Sequence, residues 1–169
     1  MRKKTLRIIL TQECHYYCNY CCNKLPEVQE KIWFKSEKEI ADMIRSKGYS
    51  AICLTGGEPL LEPQYVGYFS AMAKDYNMPI YLYTDGLLLS KECIKMFDGI
   101  NIGIHKKNQI RMILKNMPGI LTYKNIRLRV EDTGRYELAN NIPDEYIKTW
   151  TMNNCNNSFE YEDFVELKQ

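Results

Sequence analysis

The chain reads as an α/β fold of parallel strands: a partial (β/α) TIM-type barrel or open sheet, with about six strands and an abbreviated last unit. Three observations predict it. Short apolar and β-branched runs alternate with segments of helical period through the first 130 residues. Each run gives way to a turn and then a helix, the layout of strand–helix–strand units whose right-handed crossovers set successive strands parallel. The 169 residues fall short of a complete eight-unit barrel, which takes about 250.

The elements follow in order. Leu6-Arg7-Ile8-Ile9-Leu10-Thr11 is a strand that ends just before Cys14. Ser36 with Glu39 three residues on is a capping box; it opens a helix that turns Ile40, Met43 and Ile44 inward, and Gly48 stops it. Ala51-Ile52-Cys53-Leu54-Thr55 is a second strand running into Gly56-Gly57-Glu58-Pro59. Phe69, Met72, Ala73 and Tyr76 then mark one face of a helix. Pro79-Ile80-Tyr81-Leu82-Tyr83-Thr84 is the third strand, closed by Asp85-Gly86, and Ser90 caps a short helix containing Cys93, Ile94 and Phe97. Ile100, Ile102 and Ile104 alternate with Asn101, Gly103 and His105 in a fourth strand. Its helix carries Ile110, Ile113, Leu114 and Met117 up to Pro118-Gly119. Ile126, Leu128 and Val130 alternate with Arg127, Arg129 and Glu131 in a fifth strand. Beyond it Gly134 and Pro143 make a poor helix, residues 147–152 are a candidate sixth strand, and the asparagine-rich 153–157 reads as a turn. One domain over 1–169 is expected, with the motifs in 5–130 and an acidic strand or tail from 131.

Composition narrows the function classes. Apolar residues make up 45% and charged residues 26%, with a net charge of +2. A strongly basic nucleic-acid binder and a disordered polyelectrolyte are both excluded. No apolar run is long enough for a membrane span, and Met1-Arg2-Lys3-Lys4-Thr5 does not open a signal peptide, so a cytoplasmic location is the expectation. Charge is uneven: residues 1–130 hold 20 basic and 12 acidic side chains, residues 131–169 hold 3 and 9. No acid lies between Gly99 and Val130, where Lys106, Lys107, Arg111, Lys115, Lys124, Arg127 and Arg129 fall. That stretch is either a solvated face or a field for an anionic ligand. If the isoleucine row faces the helices, Asn101, His105, Arg127, Arg129 and Glu131 face the other way, as a polar ligand cavity or an exposed sheet face would have them.

The seven cysteines are Cys14, Cys18, Cys21, Cys22, Cys53, Cys93 and Cys155, four of them within nine residues. In a cytosolic chain such a cluster favours metal binding or catalysis over disulfides. Cysteines three and then two residues apart can curl a loop around one metal centre, and thiolates serve iron–sulfur clusters and zinc alike. Zinc would draw a fourth ligand from Cys22 or His15, although no second Cys/His pair is visible. Buried structural thiols are the third reading, and spacing alone leaves all three open.

With Gly56-Gly57-Glu58-Pro59 following the second strand, the chain resembles the radical S-adenosylmethionine superfamily. Its Cys-x3-Cys-x2-Cys signature matches Cys14, Cys18 and Cys21, with the aromatic Tyr20 before the third. Tyr83-Thr84-Asp85-Gly86 matches a weaker Thr-Asn-Gly motif, with Asp85 in place of asparagine. The resemblance covers about residues 5–130 and implies a partial barrel with its site at the carboxyl ends of the strands. It implies a [4Fe-4S] cluster on the three cysteines, its fourth iron open to the amino and carboxylate groups of S-adenosylmethionine. Gly56 and Gly57 would lie at the methionine end, Glu58 would face the amino group, and Pro59 and Thr84 count among the cofactor-binding positions. Tyr20 would run along the adenine, His105 would meet the ribose or carboxylate, and Arg129 the cofactor or substrate. Cys22 is then a neighbour of the cluster, and Cys53, Cys93 and Cys155 are bystanders.

The implied reaction passes one electron into the sulfonium, giving methionine and a 5'-deoxyadenosyl radical that abstracts hydrogen from a substrate. A flavodoxin- or ferredoxin-like electron donor is implied with it. With only Cys155 beyond residue 93, no auxiliary-cluster domain is expected. Size and the local patterns Thr11-Gln12-x-Cys14 and Cys21-x-Asn23 lean toward the activases of glycyl-radical enzymes, whose substrate is a protein. The small enzymes of deazapurine and nucleotide-precursor chemistry are the alternative. A non-catalytic iron–sulfur or zinc module is the reading from another class, and the intact Gly-Gly-Glu-Pro argues against it.

Overall fold

The first apolar run becomes β1 (Thr5–Ile9), an interior strand of an eight-stranded sheet. The computed structural model describes residues 4–18, 21–106, 108–131, 142, 147–150 and 161–168. After β1 come α1 (Pro26–Gln29), β2 (Ile32–Lys35), α2 (Glu37–Lys47), β3 (Ala51–Thr55) and α3 (Pro63–Asp75). The chain continues through β4 (Ile80–Thr84), α4 (Lys91–Ile94), β5 (Gly99–Ile104) and α5 (Gln109–Asn116), then β6 (Ile126–Glu131), β7 (Ile147–Trp150) and β8 (Glu162–Leu167). The strand order is β2-β8-β1-β3-β4-β5-β6-β7, and every pairing is parallel. β2 and β7 stand at the two edges, so the sheet is a partial barrel and is not closed.

The period-2 pattern sorts the side chains as the sequence predicts. Leu6 and Ile8, Ile52 and Leu54, Ile80 and Leu82, the Ile100–Ile102–Ile104 row, and Ile126, Leu128 and Val130 enter one core. Ile40 and Ile44 of α2, Phe69 and Ala73 of α3, and Ile110 and Ile113 of α5 meet them there. Each such aliphatic side chain contributes about 1.5–3 kcal/mol on burial, which holds the helices to the outer face. The ends of α2 are as expected: the Glu39 N–H donates to Ser36 Oγ at 3.3 Å, the Ser36 N–H donates to Glu39 Oε2 at 2.8 Å, and Gly48 takes φ 59°. Ser90 caps α4 by accepting from the Cys93 N–H at 3.1 Å.

Three expectations change. Among the described residues the sheet has eight strands, because β2 and β8 add to the six read from the sequence. The acidic C-terminal segment supplies an edge strand, β7 beside β6, and an interior one as well, since β8 lies between β1 and β2. Its acids are matched by the opposite end of the chain: Arg7 Nη2 donates to Glu162 Oε1 at 2.8 Å, and Lys4 Nζ to Asp163 Oδ1 at 2.7 Å. The charge asymmetry between the two ends thus becomes a set of contacts across one seam. Tyr76 is exposed at the end of α3, not turned inward, and its hydroxyl accepts from Arg45 Nε at 3.0 Å. The sixth strand is seen at Ile147–Trp150; residues 132–141 and 151–160, with the asparagine-rich turn and Cys155, lie outside the described residues.

Candidate functional site

The carboxyl ends of β1, β3, β4 and β5 carry the motifs, and hydrogen bonds join their loops. Where β1 gives way to the cysteine loop, the Leu10 N–H donates to the Thr55 carbonyl at 2.9 Å. The Gly57 N–H donates to the Thr11 carbonyl at 2.7 Å, and the Glu58 N–H to the Glu13 carbonyl at 2.6 Å. Both glycines are demanded by that approach. A Cβ on Gly57 would sit 1.9 Å from the Glu13 carbonyl oxygen. One on Gly56, at φ +146°, would sit 2.5 Å from the Thr11 carbonyl oxygen. On this side, the space that the missing side chains leave is filled by the cysteine loop itself.

Glu58 is fully buried, its carboxylate turned toward the end of β4. Its Oε1 accepts from the Leu60 N–H at 3.0 Å and from Thr84 Oγ1 at 2.8 Å, and its Oε2 from the Asp85 N–H at 2.7 Å. Burial, and then the neighbouring Asp85 charge, push its carboxyl up to about 7. Pro59 is buried at the start of the short turn that follows. Asp85 Oδ2 lies 2.6 Å from His15 Nδ1 in the cysteine loop, while Asp85 Oδ1 accepts from the Leu87 N–H at 2.9 Å. Ligand atoms of His15, Glu58 and Asp85 fall within 4.8 Å of one another. Their oxygens are already engaged by hydrogen bonds, so the trio is a knot tying the loops together.

A residue that the sequence reading missed completes the network. Gln109 is fully buried; its Nε2 donates to the carbonyls of Asp85 at 2.7 Å and Gly103 at 2.6 Å, and its Oε1 accepts from the His105 N–H at 2.7 Å. A glutamine at the first position of an amphipathic helix has no signal in sequence that sets it apart.

Cys14, Cys18 and Cys21 are half-buried thiols of this one loop, and Cys22 is half-buried beside them. The Tyr16 N–H donates to Cys14 Sγ at 3.5 Å, and His105 Nδ1 lies 3.3 Å from Cys18 Sγ. Asn23 Nδ2 donates to the Gly56 carbonyl at 2.6 Å, pinning the far end of the loop to the glycines. Tyr20 lies outside the described residues. Burial raises the Cys14 thiol, and Asp85, Glu58 and Cys21 add to the rise. Acidic charge thus lies against Cys14, in the loop that carries all three thiols, and a cationic centre would relieve it by binding thiolate. The donor set thus fits an iron–sulfur cluster. By contrast, burial pushes the thiols of Cys53 and Cys93 up to about 11, which leaves them protonated and inert near neutral pH.

The sheet's other face carries polar groups on β5 and β6, as the alternation predicts, while at β1, β2 and β8 Ile9, Ile32 and Phe164 form a second apolar cluster with Val28. Arg7 and Arg129 approach one phenol ring, their guanidinium carbons 4.9 and 5.1 Å from the Tyr83 centroid. Arg129 belongs to this wall, and Thr84 and His105 to the rim where the loops meet. An open hollow of about 600 Å³, lined by Ser70, Lys74, Asn77, Lys95 and Asp98, lies at the amino ends of β4 and β5, opposite the cysteine loop.

With cysteine loop and glycine loop joined in this way, comparison with known proteins gives the class. The profile of the Radical SAM superfamily matches residues 8–127. The chain belongs to this superfamily, whose cofactors are a [4Fe-4S] cluster and S-adenosylmethionine. Over 109 residues it is 37% identical to GTP 3',8-cyclase of Campylobacter jejuni, covering 61% of this chain and 33% of that one. Over 74 residues it is 34% identical to 7-carboxy-7-deazaguanine synthase of Clostridium acetobutylicum, covering 43% and 34%. The matches thus span about a third of the length of these curated relatives. Among solved structures, SuiB of Streptococcus suis bound to S-adenosylmethionine aligns over 98% of this chain and 48% of that one, at 12% identity and a TM-score of 0.46. No helix among the described residues is long and apolar enough to cross a membrane.

Proposed function

We propose that Cys14, Cys18 and Cys21 hold a [4Fe-4S] cluster against which S-adenosylmethionine binds, and that the chain reductively cleaves this cofactor to start hydrogen abstraction from a substrate. The observation that carries the reading is the join between the cysteine loop and Gly56-Gly57-Glu58, made through the Gly57 and Glu58 N–H groups. It fixes the three thiols relative to the loop that faces the cofactor. When bound, the reduced cluster supplies the electron that splits the sulfonium into methionine and a 5'-deoxyadenosyl radical.

The chain's own residues bind and orient. Glu58 and Thr84 hold the Gly-Gly-Glu-Pro turn and the end of β4 together. Pro59 stiffens that turn, Tyr20 lines the adenine, and Arg129 draws a carboxylate into the polar face. The Gly56 and Gly57 backbone and His105 complete the cofactor site. A flavodoxin- or ferredoxin-like protein supplies the electron.

For the substrate we favour an anionic small molecule of purine type. Arg7 and Arg129 beside Tyr83 form a cationic, aromatic wall suited to such a ligand, and the names of both relatives denote purine chemistry. The second reading is a protein substrate of the glycyl-radical kind, toward which the sequence pattern leans; the unclosed sheet gives a polypeptide room to enter. The test is 5'-deoxyadenosine release under dithionite, with purine nucleotides, deazapurine precursors or glycyl-radical proteins added in turn. Stimulation by a purine compound supports the first reading, stimulation only by a protein supports the second, and no release in any arm contradicts the cleavage itself.

A further inference from the structure

We propose that His105 donates a hydrogen bond from Nδ1 to the Cys18 thiolate and so raises the reduction potential of the cluster. The inference rests on the assignment of Cys18 as an iron ligand. It gives His105 a task different from the ribose or carboxylate contact that the sequence suggests.

The placement of the ring is fixed from several sides. His105 follows β5 directly, and its N–H is held by the buried Gln109 at 2.7 Å. Because Gln109 also holds the carbonyls of Asp85 and Gly103, the backbone at 105 is anchored in the core. The imidazole lies over Gly103, where a Cβ would come within 2.8 Å of Nε2. Tyr16 of the cysteine loop packs on it with ring centroids 5.3 Å apart and planes at 43°. Nδ1 then lies 3.3 Å from Cys18 Sγ, a hydrogen-bonding distance for sulfur.

The chemistry sets the direction of the bond. An imidazole carries a ring N–H whether neutral or cationic. A thiolate bound to iron offers only acceptor capacity, which places that proton on Nδ1. The N–H dipole then favours negative charge on the sulfur. The reduced cluster carries one more electron than the oxidised one, so it gains more from the donor and its potential rises. A partly buried site strengthens the effect. His105 is a positioning and tuning residue by this account, acting through Cys18.

Two measurements test it. In the reconstituted wild-type protein labelled with 15N-histidine and reduced without S-adenosylmethionine, pulsed electron paramagnetic resonance should detect a histidine nitrogen coupled to the cluster. A spectrum without that coupling overturns the proposal, and this readout needs no variant that must fold. In redox titrations, His105→Phe should shift the midpoint potential downward at unchanged iron content. His105→Asn, whose amide nitrogen falls near the place of Nδ1, should return most of the shift. A loaded His105→Phe protein at the wild-type potential overturns the inference and leaves the ligand assignment standing. A wild-type protein that assembles no cluster overturns the assignment and the inference with it.

Discussion

Gly57→Ala isolates the join between the two motif loops. The new Cβ would sit 1.9 Å from the Glu13 carbonyl oxygen, against a closest ordinary approach of 3.0 Å, and backbone cannot swing aside as a side-chain tip does. The cysteine loop must therefore retreat by at least about 1 Å. The bonds from Gly57 to Thr11 and from Glu58 to Glu13, now 2.7 and 2.6 Å, are stretched beyond hydrogen-bonding range by that retreat. At about 1 kcal/mol each, their loss costs on the order of 2 kcal/mol before any strain is added. For a domain of this size that corresponds to a melting temperature lower by roughly 4–8 °C. The displaced loop carries Cys14, so iron retained after anaerobic reconstitution should fall with stability. Gly67→Ala in α3 is the control: its Cβ meets nothing within 4 Å, and alanine there should stabilise by about 0.5–1 kcal/mol. Calorimetry and iron analysis of both proteins decide the matter. A Gly57→Ala protein with wild-type melting temperature and iron content would refute the reasoning.

Three further outcomes are expected. Cys18→Ala should lose the cluster's absorption and the release of 5'-deoxyadenosine, whereas Cys22→Ala should keep its cluster and Cys93→Ala should keep cleavage, as visible spectra and chromatography will report. The Glu58 carboxyl is pushed up to about 7 from 4.5, so through that interval the folded chain keeps a proton that the unfolded chain releases. That contribution to stability is present below about pH 4.5 and is lost as pH rises through 7; urea melts between these limits should show the decline, and Glu58→Gln should be less stable but flatter. Arg7→Ala strands the Glu162 carboxylate, both side chains being 13% exposed. The cost should be on the order of 3 kcal/mol, and the double replacement Arg7→Leu with Glu162→Leu should recover much of it in denaturant melts.

The parts of this fold legible in the sequence are those whose signal is local. The isoleucine row of β5 and the capping box of α2 each declare their element within ten residues. The cysteine spacing and Gly56-Gly57-Glu58-Pro59 declare the site in the same way. β8 was illegible because Glu162, Asp163 and Glu166 read as a solvated tail until their partners Arg7, Lys4 and Gln12, about 155 residues away, are placed beside them. β2 hides for another reason: four residues with Trp33 and Phe34 both exposed show no alternation. Within the site, residue types were readable and orientations were not. Glu58 reads as a carboxylate free for a cationic ligand, yet three donors from the chain surround it. Asp85 reads as a departure from an asparagine, and its reason emerges only when His15 is brought to 2.6 Å.

The central claim is that three thiols of one loop hold a cluster whose open iron takes S-adenosylmethionine. The most direct measurement is electron paramagnetic resonance of the dithionite-reduced, anaerobically reconstituted protein before and after adding S-adenosylmethionine, with iron counted on the same sample. The account predicts about four irons per chain and a cluster spectrum that changes when the cofactor binds. A colourless protein holding a single zinc ion, or a cluster spectrum indifferent to S-adenosylmethionine, would contradict it.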